Sequence, residues 1–518
     1  MRLTTPIRPR PSTLINIAAM LAFSVFRRAL GLVSISVLSR VLTPTEVGVY
    51  AFAQTTGQTF VGVLRLGALQ GLHVLIARRV VDNKPAADLG ALLGGGTILC
   101  SAIATVGAGL MILLANPIAV HVFGVPELAP YVIVAAVYFA GQFLSQAAYV
   151  GFAGMGRFVD YTYYATVVGI ATVAATVLGA LLFGVQGAVW GFAGMTLAGV
   201  PVYVFGFQRA LTAAGVRMRF SPQREHIRQI FAIGLPFYLA GVFLIPAQYW
   251  SQGQVSRLGG LEDLADLRVI LTLMAVVQMI PQAISGPIIS LFSEREGKEA
   301  GSGAASAFEH MRWLWIFALV SGATLAAIWP LAVTILFGAG FPQAAAMGQL
   351  AIVAFIPMIA GTSLSAGILV GGRTLPLIFV GVVQAAVMIG LALTLIKPLG
   401  LAGFFLAQAG AATAAVVLWL TVLGWQTRQV PLKPWMAPLA VATVALCAIL
   451  ALDAATAQPA WLRLVAGAAG VPAFVAILAV TALTMAERRT LYSQARGFAL
   501  QGLKRLATRR DRTPGPRG

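Results

Sequence analysis

Stretches of about twenty apolar residues recur along this chain from end to end, and that recurrence restricts its fold more than any other feature. A run of this length crosses the hydrocarbon core of a bilayer as one α-helix. Of the 518 residues, 59% are hydrophobic and 10% are charged, whereas a soluble domain is about 25% charged. Mean hydropathy is +0.88. One aqueous core does not hide that much apolar surface, so lipid must cover it. The sequence predicts an all-α polytopic membrane protein.

Fourteen spans are expected, at roughly residues 13–38, 46–76, 88–114, 128–153, 160–183, 187–208, 228–256, 265–292, 304–329, 344–370, 374–396, 400–425, 435–453 and 461–485. The first stretch is read as a retained span, not a cleaved signal, because it is long and carries arginines at its centre. Most links are short. The longest internal one, residues 208–230, contains Ser221 and Pro222, which read as an N-cap and first-turn pair for the next helix. The predicted organisation is an amino-terminal segment (1–12), a first six-helix bundle (13–210), a linker (211–227), a second six-helix bundle (228–427), two additional helices (434–485) and a basic tail (486–518).

Basic residues set the orientation. With the amino terminus in the cytoplasm, 27 Lys and Arg fall on that side and five (Arg40, Arg257, Arg268, Lys397, Arg463) on the other, while Arg27, Arg28 and Arg65 stay inside spans. This bias supports two cytoplasmic termini and an even number of spans. It also accounts for the net charge of +19 without nucleic acid as a partner. The tail reads equally as an amphipathic helix on anionic lipid or as a solvated topology determinant. Cys100 and Cys447 sit in apolar runs, and His73, His121, His226 and His310 lie far apart. Neither set has metal-ligand spacing, so no metal or other cofactor is expected.

The chain repeats itself at a spacing of about 216 residues. "SVLSRVLTPTE" aligns with "GQVSRLGGLED", placing Arg40 over Arg257 and Glu46 over Asp263. "NPIAVHVFG" aligns with "WPLAVTILFG", "GMGR" with "VGGR", and "FGVQGAVWGFAG" with "PLGLAGFFLAQAG", which places Arg157 over Arg373 and Gly187 over Gly403. Six spans is an even number, so the halves share one orientation and form a parallel repeat around an axis along the membrane normal.

The charged first span, "LSRVLTPTEVGVYAFAQT" leading into the second, "GMGRFVDYTYYATVVG" at spans four to five and the six-plus-six repeat together resemble Wzx-type polysaccharide-biosynthesis flippases. These belong to the multidrug/oligosaccharidyl-lipid/polysaccharide (MOP) exporter superfamily. The resemblance covers roughly residues 12–430. It implies two six-helix bundles forming a V around a central cavity. It implies a multi-pass protein of the bacterial inner membrane that is a transporter, not an enzyme. Its substrate would be undecaprenyl-pyrophosphate-linked oligosaccharide, moved to the periplasmic leaflet for lipopolysaccharide or exopolysaccharide synthesis by alternating access. Membrane lipids and the polymerase and export machinery are the partners implied, for a monomeric chain.

Three arginines carry the chemistry of that reading. An arginine at mid-membrane costs roughly 2.5–3.5 kcal/mol on insertion scales and is a functional candidate by default. Arg27 and Arg28 point about 100° apart on a helix and border one polar wedge with Asn16, Ser24, Gly31 and Ser34. Arg65 lies on a second stripe with Gln54 and Gln58. Further glutamines sit at Gln142 and Gln146, at Gln248, Gln252 and Gln254, and at Gln278 and Gln282. None of the sixteen carboxylates is placed at mid-span. Arginines without an acidic partner suit an anionic ligand, because the guanidinium fork matches phosphate. Arg27, Arg28 and Arg65 are assigned to a phosphate site, and Gln54, Gln58, Gln142, Gln146, Gln252, Gln278 and Gln282 to sugar contacts. Backbone carbonyls or water for the arginines, and interhelical hydrogen bonds for the glutamines, are the competing readings. Tyr149, Tyr161, Tyr163 and Tyr164 read as a sugar platform or an interfacial belt. Arg40 and Arg257 are expected to end helices and to pair with Glu46 and Asp263. The glycine pairs Gly90/Gly94 and Gly187/Gly191 are expected to let helices pack closely.

Rival functions separate on the same residues. A cation-coupled multidrug antiporter needs a carboxylate in the membrane, and this chain has the opposite sign. A lipid II flippase uses the same physics as an oligosaccharide flippase. A membrane-embedded glycosyltransferase or polymerase needs a large periplasmic catalytic loop, and none here exceeds about 15 residues. No Gly-x4-Gly-Lys-Ser/Thr motif supports direct use of ATP.

Overall fold

The computed structural model describes residues 13–82, 85–220, 223–298, 302–370, 374–427, 434–456, 460–482 and Glu487. All regular elements among them are helical. The first half comprises α1 (Thr13–Val41), α2 (Pro44–Leu64), α3 (Ala68–Val81), α4 (Ala86–Leu113), the short α5 (Ala115–Pro117), α6 (Ala129–Gly154), α7 (Phe158–Ala198) and α8 (Val200–Ala213). The second comprises α9 (Arg224–Leu239), α10 (Leu244–Val277), α11 (Met279–Lys298), α12 (Ser302–Phe337), α13 (Pro342–Val370), α14 (Thr374–Leu399) and α15 (Leu401–Thr427). Helices α16 (Met436–Thr456) and α17 (Ala460–Ala482) follow. A π-helical turn, Ile118–Phe123, extends α5.

Among the described residues, eight stretches are long and apolar enough to cross a membrane, or ten when each bent pair counts as one span. One of the eight, residues 158–213, runs for 56 residues but contains a chain reversal. Gly184 adopts a left-handed φ of 62° inside α7. Past it, a β-carbon on Gly187 would overlap Gly179 O, and one on Gly191 would overlap Ala175 O. These contacts fan out symmetrically from residue 183, so the two arms of α7 form an antiparallel hairpin with their backbones in contact. The second half repeats it. Gly400 has φ 55°, and a β-carbon on Gly403 would overlap Leu395 O. The positions correspond at the spacing read from sequence: 184 to 400, 187 to 403, 179 to 395.

Two predicted spans are bent. The second breaks between α2 and α3, by 57°, and the seventh between α9 and α10, by 49°. At the first break Leu66 and Gly67 both have positive φ. Gly67 and Gly234 meet backbone to backbone, and Gly71 lies flush on the carbonyl of Ile230. Thus α9, although it opens the second half, packs on α3 of the first.

The opposite, far end is held by crossed contacts. Gly48 of α2 lies against the carbonyl of Leu261. The expected Arg40–Glu46 and Arg257–Asp263 pairs do not form. Arg40 donates instead to Ile335 O, and Arg257 Nη1 donates to His121 O at 2.9 Å. The reason is the supply of acceptors. Last-turn carbonyls of a helix lack intrahelical donors and carry the negative end of its dipole. Glu46 is already engaged in the Thr43 capping box, and Asp263 accepts from Gln343 Nε2 at 2.8 Å.

Gly90 and Gly94 also differ from expectation. They admit an extended segment, not a helix. Arg219 N donates to Gly90 O at 3.0 Å, and β-carbons on Gly90 and Gly94 would overlap the carbonyls of Arg217 and Arg219. Of the sequence expectations, Ser221, Pro222, Arg373, the first twelve residues and the tail beyond Glu487 lie outside the described residues, as does the side chain of Asn16.

Candidate functional site

Helices α1, α2, α6, α7 and α8 of the first half, together with α10, line a cavity of about 1040 Å³. Its wall carries Arg27, Arg28, Arg65 and Arg268, six glutamines and six tyrosines, and no carboxylate, lysine or histidine among the described residues. From α1, Ser24, Arg27, Arg28, Gly31 and Ser34 line the cavity. From α2 come Gln54, Gln58 and Arg65, from α6 Gln142 and Gln146, and from α10 Gln248 and Gln252. Glutamine and arginine recur on these faces at helical spacing, which is why the sequence exposed them.

Gln278 and Gln282 do not line it. They sit where α10 gives way to α11, and they serve Arg28. The Arg28 guanidinium donates to Gln282 Oε1, and Gln282 Nε2 donates to Gln278 Oε1 at 3.2 Å. Gln254 is also outside the lining. Arg40 and Arg257 occupy the far-end crossing described above, away from the cavity.

Arg268 is the residue that the sequence expectation misplaces: it is counted with the far-side charges, although the eighth expected span begins at residue 265. The helical arm of α10 resumes after Gly260, so Arg268 stands about 12 Å along it at 1.5 Å per residue. It lies beside Tyr50 and Tyr138. The repeat held the signal: at the offset of 217 that pairs Arg40 with Arg257, the equivalent position in the first half is Ala51, inside the second span.

The cationic groups are spread in depth. Arg65 caps the C-terminus of α2 next to Tyr238. Arg268 enters from α10, whose helical arm meets α2 at the Gly48–Leu261 contact near the other end of that helix. Arg27 lines the same cavity as Tyr138, Tyr149, Tyr161 and Tyr203. Tyr161 and Tyr203 stack at 5.7 Å between centroids, and Tyr149 meets Tyr161 edge-on at 4.9 Å. Tyr163 and Tyr164 are outside the lining; Tyr164 packs against Gly206.

Part of the polar surface of the cavity has no partner within the protein. Arg65 Nε, Arg268 Nε, Gln54 Oε1 and Ser145 Oγ are buried with no protein hydrogen-bond partner among the described residues. Burying such groups unpaired is costly. Thr172, Thr176 and Thr196 donate their hydroxyl protons to the carbonyls four residues back, at 2.7 to 2.8 Å. They therefore offer the cavity acceptor lone pairs and methyl groups.

In sequence, residues 14–293 match the profile of a family described as polysaccharide biosynthesis protein. No curated protein matches the chain. Among solved structures, the lipid II flippase MurJ in an inward closed conformation superposes with a TM-score of 0.65 at 11% identity, covering 90% of this chain and 99% of its own. A multidrug resistance MATE family transporter of the MOP superfamily, inward-facing, gives 0.62 at 15%, covering 80% and 98%. A MOP superfamily transporter from Pyrococcus furiosus, reported with a binding pocket of reverse polarity, gives 0.61 at 15%, covering 82% and 98%. At these identities the likeness shows the fold: a MATE- and MurJ-like polytopic helical protein.

Proposed function

The chain belongs to the polysaccharide biosynthesis protein family, and from that premise we propose that it is a flippase for undecaprenyl-pyrophosphate-linked oligosaccharide. It moves this lipid from the cytoplasmic to the periplasmic leaflet of the bacterial inner membrane by alternating access, with both termini in the cytoplasm. The observation that carries the reading is a cavity with four arginines on its wall and no carboxylate among the described residues. Such a wall repels cations and neutralises a pyrophosphate that must leave water. Arg65, the Arg27–Arg28 pair and Arg268 serve as successive phosphate stations. Glutamines, threonines and the Tyr149–Tyr161–Tyr203 group meet the sugars while the polyprenyl chain stays in lipid.

The MurJ superposition favours lipid II as a second substrate reading, since the same arginines suit its pyrophosphate. A cation-coupled antiporter is not supported, because its ion and its drugs want acid on the wall.

Deleting the gene in its bacterium and assaying lipid-linked oligosaccharide by leaflet tests the proposal. Cytoplasmic-leaflet accumulation is expected, with peptidoglycan synthesis intact. Accumulation of lipid II instead selects the second reading. At equal expression, each of R27Q, R65Q and R268Q is expected to restore export at about one-tenth of normal or less, as loss of a charged hydrogen bond of about 1.5–3 kcal/mol predicts. Normal export from all three variants overturns the site.

A further inference from the structure

The segment after α8 lies on the outside of α4, and its alternation gives it two faces. Val216 is buried and Met218 half-buried, while Arg217 and Arg219 are exposed, as the period of two in an extended strand dictates. Phe220 follows, 64% exposed. The strand is seated by backbone contact: it fits only because Gly90 and Gly94 have no side chain. Further along the same stripe of α4, at helical spacing, Ile98, Ala102, Val106, Leu110 and Leu113 are all exposed. That apolar stripe is the perimeter a bilayer covers. The strand therefore straps the rim of the first half where its lipid-facing surface begins, at the end that the charge bias assigns to the cytoplasm. Among the described residues no carboxylate pairs with Arg217 or Arg219.

We propose that Arg217, Arg219 and Phe220 form a binding site for an acidic phospholipid of the surrounding leaflet, on the outer flank of α4. Two residues on one side of an extended segment are rooted about 7 Å apart along the backbone, so both guanidinium groups are within reach of one headgroup or two neighbours. They bind phosphate oxygens, and Phe220 enters the boundary between headgroups and acyl chains. The bound lipid fastens the strap to α4. Since α9 begins at Arg224, it also steadies the segment that leads to the α3–α9 crossing. The inference does not depend on what the cavity carries.

The test uses the full chain in nanodiscs of phosphatidylcholine with or without phosphatidylglycerol, reading retained lipid by native mass spectrometry and hydrogen exchange at residues 215–220. Phosphatidylglycerol is expected to stay bound and to slow exchange by up to about thirtyfold, the order expected for two arginines at an anionic surface. R217K/R219K keeps the effect and R217Q/R219Q removes it. G94V retains both arginines but displaces the strand, and it also removes the effect. Protection that persists in R217Q/R219Q overturns the proposal. So does equal protection by inorganic phosphate in discs without phosphatidylglycerol, which would make this a site for a free anion.

Discussion

Gly187 and Gly403 stand where a β-carbon has no room, since each would overlap the backbone of the preceding helix. Gly194 has nothing within 4 Å of its would-be β-carbon. Gly187→Leu and Gly403→Leu should therefore each lose about 1–3 kcal/mol, the usual cost of overpacking, read as a lower thermal unfolding midpoint in detergent. Gly194→Ala should leave the midpoint unchanged or slightly raised, because alanine favours helix. Equal midpoints for all three would mean that the hairpins tolerate separation. At this scale the sequence was readable where residue type alone carries meaning. Arg27, Arg28 and Arg65 announced themselves as charges inside apolar runs. Arg268 did not, because it lies near a span boundary, and a shift of a few residues there moves a side chain from loop to cavity. Gly90 was recognised as a close-approach position, but a missing side chain does not say which backbone arrives.

Between elements, the far end is locked twice, by partners exchanged between halves. Arg40, ending α1, reaches the last turn of α12 in the second half. Arg257, its repeat counterpart on α10, reaches the π-helical turn of the first. The acceptors, Ile335 and His121, are repeat counterparts to within a few residues, so the crossing has the pseudo-symmetry of the whole. An alternating-access cycle must break both contacts to open this end. Each of R40Q and R257Q should shift the closed-to-open ratio about fivefold, equivalent to about 1 kcal/mol for an exposed hydrogen bond, and the double variant should shift it by about the product. Spin labels on the far ends of α2 and α12, measured by double electron–electron resonance, report that ratio. Unchanged distances in the double variant would show that the arginines cap helices without latching them. The repeat that aligned Arg40 with Arg257 was legible. Their partners were not, since acidic residues a few positions away looked nearer along the chain than carbonyls some 300 and 140 positions away.

For the whole molecule, charge distribution sets orientation. With Cys100 and Cys447 replaced by alanine, a cysteine at Arg217 should react with a membrane-impermeant maleimide only after cells are permeabilised. One at Thr45, exposed at the far end, should react in intact cells. The reverse pattern would invert the topology. The sequence by itself determined the class, the repeat and the sign of the cavity. Helical backbones must satisfy themselves in lipid, and arginines buried there without carboxylates leave one sign of charge whatever the packing. Only the tertiary structure decided that the cavity is lined by helices of the first half and α10, that Arg268 completes its arginines while Gln278 and Gln282 stand behind Arg28, and that α9 crosses to α3. Those outcomes depend on how far each helix is bent and rotated. Bend and rotation come from contacts between residues hundreds of positions apart, which no local pattern of residues specifies.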